Sequence, residues 1–93
     1  MNSNKQKYEL IFNIIRTELN KVDPMGLCPG EFAPINEYDP ETAMVVNKIK
    51  DVENYVELAK EISIVFDEMF GEKFDESSFY NCAHNILEEV NKL

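Results

Sequence analysis

The segment VDPMGLCPGEFAPINEYDPET, Val22 to Thr42, decides the fold, because proline and glycine break it repeatedly while Met25, Leu27, Cys28, Phe32, Ala33, Ile35 and Tyr38 make it apolar. Asp23-Pro24 ends any helix before it, since proline disfavours the α conformation of the preceding residue and has no N–H to donate. Gly26, Pro29-Gly30 and Pro34 keep resetting the backbone, so no regular element is expected between residues 25 and 38. Connectors longer than about 12 to 15 residues are uncommon in compact domains unless they are packed or functional. The reading is a connector over 22–39 that wraps the helices. Asp23, Asn36, Glu37 and Asp39 lie at hand to pair its backbone groups.

Upstream, Tyr8, Ile11, Phe12, Ile15 and Leu19 recur at helical spacing and predict a core-facing helix over about 4–21. Leu10 and Ile14 fall on a second face, one turn apart, and need a cover of their own, either the connector or a partner. Downstream, Asp39-Pro40-Glu41-Thr42 reads as a helix start. Asp39 stands as N-cap, Pro40 in the first turn, and Glu41 against the positive end of the helix dipole. That helix runs over about 40–50 and buries Val45, Val46 and Ile49.

A third helix, about 54–70, places Tyr55, Leu58, Ala59, Ile62, Phe66 and Met69 on its core side and Ile64 outside, and closes on Gly71. A fourth, about 76–92, opens on Asp75 with Phe74 and Phe79 as a hydrophobic staple, and buries Phe79, Cys82, Ala83, Ile86, Leu87 and Val90. No strand alternation or internal repeat appears. The expected fold is all-α: a small four-helix domain, one unit over 1–93, with a long, packed, Pro/Gly-rich connector between its first and second helices.

Ninety-three residues with 44% apolar content suffice for one core without a metal or disulfide staple. Eighteen acidic against nine basic residues give a net charge of −9, unevenly spread: residues 1–22 carry +2 and the remainder −11. Such a field repels nucleic acid and anionic membranes and speeds encounter with a basic protein. Cys28 and Cys82 have neither CxxC spacing nor the density of a disulfide scaffold. The opening MNSNKQKYEL has no apolar run of a signal peptide, and nothing approaches the roughly 20 apolar residues of a membrane span, so a cytoplasmic protein is expected.

Chemistry finds little support. Glu31, Glu37, Asp39 and Glu41 are acidic but match no calcium-loop spacing, so no metal or other cofactor is expected. His84 is the sole histidine and lies off the core face of its helix, on a different side from Cys82, which rules out a close nucleophile and base pair within that helix. No Gly-rich phosphate loop and no GxSxG occur. An enzyme is not expected.

Interaction is what is left, in two forms. In one, the domain binds and blocks a basic protein, as an immunity or antitoxin-like protein does, with acids steering and aromatics anchoring. The candidate residues are Phe32, Glu37, Tyr38 and Asp39, each with a structural alternative: Tyr38 as a core plug, Asp39 as a helix cap, Glu37 as a backbone clamp. In the other, the domain is a self-associating structural or accessory unit with Leu10 and Ile14 at a homodimer seam.

Asp23-Pro24-x-Gly26-Leu27, followed by Ala33-Pro34-Ile35-Asn36-Glu37-Tyr38-Asp39-x-Glu41, resembles the signature of the YugE-like family of small bacterial proteins, a domain of unknown function. The likeness spans roughly residues 15–71. It departs at Val22, where the family favours an aromatic, at the intervening Glu31-Phe32, and at Asn36, which stands in place of an acid. The resemblance implies a small helical fold with no assigned activity and no catalytic residue. Similar EYD-containing sequences among toxin-immunity proteins favour the first form of interaction.

Overall fold

A computed structural model describes residues 3–93, with side chains from residue 5 onward. The described residues form four α-helices and no strand: α1 (Ser3–Val22), α2 (Asp39–Ile49), α3 (Tyr55–Phe70) and α4 (Tyr80–Asn91). They close a ring in which each helix packs on the next and α4 returns to α1. Its centre holds Ile15 and Leu19 of α1, Val45 of α2, Leu58, Ile62 and Phe66 of α3, and Ile86 of α4, together with Tyr38 and Phe79. No helix among the described residues is long and apolar enough to cross a membrane.

Local chemistry sets the ends of these helices. Asn54 caps α3 by accepting from the Glu57 N–H at 3.0 Å, while the Glu57 carboxylate accepts from the N–H of Glu53, just before the cap, at 2.9 Å, so the chain is held on both sides of the helix start. Gly71 ends α3 at φ 67°, in the left-handed region where a Cβ is strained. Asp75 accepts from Ser77, and the rings of Phe74 and Phe79 lie 6.4 Å apart, as a staple requires. The fourth helix nevertheless starts later than the sequence suggests. Residues Glu76–Phe79 form a 3-10 turn, and regular α geometry begins at Tyr80.

Three further expectations are corrected. Asp39 does not cap α2: it is the first helical residue, the cap position falls on Tyr38 without a side-chain cap bond, and the Asp39 carboxylate turns to Arg16 instead. A bidentate guanidinium–carboxylate pair is stronger than a neutral cap bond, and that competition decides it. Tyr8, Tyr55 and Met69 are 42%, 40% and 44% exposed rather than core. Tyr8 and Tyr55 lie near the starts of their helices, where rings lean on neighbours (Tyr8 on Phe12, Tyr55 edge-on to Tyr80 and His84) instead of entering the ring's centre. Ile64, expected outside, is half-buried.

Candidate functional site

Two regions carry the residues singled out by the sequence: the segment between α1 and α2, and the groove between α1 and α4.

The first begins where α1 stops. Asp23 sits at φ 50° and Cys28 at φ 53°, left-handed conformations that cost a non-glycine residue energy unless the surroundings impose them. Here Asp23 itself imposes the turn. Its Oδ1 accepts from the Leu27 N–H (2.8 Å) and the Tyr38 hydroxyl (2.6 Å), and its Oδ2 from the Cys28 N–H (3.0 Å). The Tyr38 oxygen in turn accepts from the Met25 N–H at 3.0 Å. The hydroxyl of Tyr38, with the N–H groups of Cys28 and Leu27, holds the Asp23 carboxyl below the usual aspartate range. Burial first, and the bond to Asp23 next, push Tyr38 up to about 12, so it keeps its proton and donates throughout the neutral range.

Beyond this clasp the chain folds back on itself. The Cys28 carbonyl accepts from the N–H groups of Glu31, Phe32 and Ala33, and the Gly30 N–H donates to Ala33 at 2.7 Å. Gly30 needs to be glycine: its φ is 89°, and a Cβ there would meet Ile35 Cδ1 at 3.2 Å. Asn20 of α1 donates to the Ile35 carbonyl at 3.0 Å, and Arg16, stacked over Phe12 at 5.3 Å, grips Asp39 at 2.8 and 2.6 Å.

The four residues proposed as a partner surface are thereby divided. Tyr38 is fully buried and packs edge-on against Phe66 with ring centroids 5.7 Å apart, so it is a core residue and presents nothing to a partner. Asp39 is half-buried and engaged by Arg16. Glu37 is exposed, and Phe32 is 87% exposed at the tip of the turn, with Ile35 at 58% nearby. Met25 and Leu27 pack on the core while Phe32 and Ile35 do not. A polar knot at Asp23 and Tyr38 accounts for the difference, because it ties the two ends of the segment together over the core and leaves its middle to solvent.

Glu41 lies in the first turn of α2, as its place against the helix dipole predicts. It is 3% exposed, and its Oε1 has no hydrogen-bond partner among the described residues. Burial, then the negative charges of Glu37 and Asp39, raise its pKa. A raised folded value means that Glu41 adds stability below the ordinary glutamate range and withdraws it as pH climbs through the folded value. Glu41→Gln is therefore expected to raise Tm at neutral pH, corresponding to about 1 kcal/mol, with the gain shrinking below about pH 4. Thermal melts of both proteins across that range test it, and a gain independent of pH would refute the assignment to charge.

Leu10 (51% exposed) and half-buried Ile14 are not covered by the connector. They line a groove of about 670 Å3 between α1 and α4, together with Glu18, Glu88, Glu89 and Leu93. Glu18, nearly buried, accepts from Asn85 at 3.3 Å and Lys21 at 3.2 Å. Cys82 is buried and its thiol pushed up to about 12 by that burial and then by Glu18, whereas His84 is exposed and 3.7 Å from Glu88. Among the described residues no three His, Cys, Asp or Glu side chains gather as a metal site. Comparison with protein families, curated proteins and solved structures finds no match for this chain.

Proposed function

We propose that this domain is a non-catalytic, cytoplasmic protein-binding module that docks a basic partner through the tip of the 23–38 segment, in the manner of an immunity or antitoxin-like protein. The observation that carries this reading is Phe32, a large aromatic 87% exposed on a turn whose backbone is held by the Cys28 carbonyl and the Asp23 clasp. Aromatic anchors dominate interface energies, and a turn held rigid before binding loses little entropy on docking. Ile35 adds apolar area beside it, and exposed Glu31 and Glu37 give the tip the sign that attracts a basic surface.

Affinity capture from the native cell, with wild type against Phe32→Ala/Ile35→Ser, tests the reading. Tyr38 is left intact because its replacement would unsettle the core. A basic protein retained by wild type at low salt, released by added salt and lost with the variant is the expected result. Once that partner is purified, Phe32→Ala alone should weaken binding by about 2 kcal/mol with no change in Tm. Identical partner lists for the two proteins would dispose of the tip as a docking site.

A further inference from the structure

Along the second face of α1, Lys7, Leu10, Ile14, Thr17 and Lys21 follow at alternating steps of three and four residues, the 3.5-residue repeat by which helices lie side by side. This face opens into the groove against α4, where Glu88 and Glu89 stand with side chains 56% and 51% exposed. An occupant must be a helix that brings apolar residues one turn apart and a base about one turn beyond them. α1 itself meets that description, within residues 1–22, which carry +2 against −11 for the rest of the chain. We propose that the α1 face is a homodimer seam, with α1 of a second copy lying antiparallel in the α1/α4 groove.

Register follows from the helix levels. Within one copy α1 and α4 run antiparallel, with Glu18 bonded to Asn85 and Leu10 lining the groove beside Leu93, so Glu88 and Glu89 stand near the level of Ile14. When Leu10 of each copy meets Ile14 of the other, Lys7 of the second copy falls about 5 Å along the axis from that level, within reach of a lysine side chain. A parallel pairing would set Lys7 on Lys7 and Lys21 on Lys21, which like-charge repulsion disfavours, and would leave Glu88 and Glu89 with only His84 (3.7 Å) and Lys92 (3.0 Å) of their own helix end and no lysine from the second copy. The −9 charge of each copy opposes approach. Beyond about 8 Å that repulsion is screened at physiological salt, so it weakens the dimer without forbidding it.

Sedimentation equilibrium of the full chain, from low micromolar to near-millimolar concentration, tests the seam. The mass should climb from monomer to dimer, and Leu10→Glu should raise the dimer Kd by more than about tenfold while circular dichroism and Tm, read at concentrations where wild type is monomeric, stay at wild-type values, because Leu10 is exposed. Lys7→Glu should weaken the dimer as well, and adding Glu88→Lys and Glu89→Lys should restore it. A monomer mass at every concentration, as expected if the groove instead accepts a helix from another basic protein, would overturn the proposal. So would a dimer indifferent to Leu10→Glu, and a charge swap without rescue would overturn the antiparallel register.

Discussion

Asp23→Ala is expected to destabilise the domain by about 3 kcal/mol, since hydrogen bonds to a charged group contribute roughly 1.5–3 kcal/mol each and are not additive. The carboxylate accepts three of them, from Leu27, Cys28 and Tyr38. Removing it leaves those donors, one belonging to a buried tyrosine, without their partner. Alanine must also adopt φ 50°, where aspartate is better tolerated than alanine. Asp23→Gly separates the two contributions: it loses the same bonds but sits easily at positive φ, and should recover about 1 kcal/mol. Equilibrium urea unfolding of both variants decides between them. Equal losses would mean that the backbone strain at Asp23 is negligible; a loss below about 0.5 kcal/mol for alanine would mean that the clasp does not stabilise the fold.

The same residue sets an acid limb. Because Asp23 is held below its ordinary value, its contribution is complete above about pH 4 and drains away as pH falls through the lowered folded value. Glu41 has the opposite sign, so the two carboxyls, one on either side of Tyr38, push stability in opposite directions as pH changes. Asp23→Asn should flatten the acid limb and leave the Glu41 contribution in place.

The helices were legible because each repeats a pattern over many residues. Ile15, Leu19, Val45, Leu58, Ile62, Phe66 and Ile86 are buried where periodicity puts them. The 23–38 segment has no period, and what fixes it is pairing at a distance: Asp23 with Tyr38, Asn20 with Ile35, Arg16 with Asp39. Local rules assigned Asp39 to the N-cap, since cap statistics see only neighbours in sequence, while Arg16 lies 23 residues away. Tyr38 is open from sequence to two readings, core plug or partner anchor, and its burial, with the phenol closing the Asp23 turn, decides for the first. Glu41 was read correctly as a first-turn acid, but its burial depends on how the neighbouring helices pack, which no single-chain pattern encodes.

Phe66→Ala is the substitution that should be felt most widely. Its ring lies 5.6 Å from Phe70 and 5.7 Å from Phe79 in stacked contacts, and 5.7 Å from Tyr38 and 5.8 Å from Phe74 edge-on, with the side chain fully buried. It thus joins α3, the turn before α4 and the residue that closes the connector. Truncating a buried aromatic costs about 3–5 kcal/mol, a large part of the roughly 5–15 kcal/mol that holds a domain folded. Phe66→Leu keeps most of the volume and should cost under about 2 kcal/mol, so the difference between the two reports the cavity. Because Tyr38 and Phe66 touch, their effects should couple. In a double-mutant cycle, Tyr38→Leu and Phe66→Leu should together cost about 0.5–1.5 kcal/mol less than the sum of the single changes. Additivity would show that the connector's anchor and the helical core are energetically separate. The rigid tip proposed for binding would then owe nothing to the aromatic cluster beneath it.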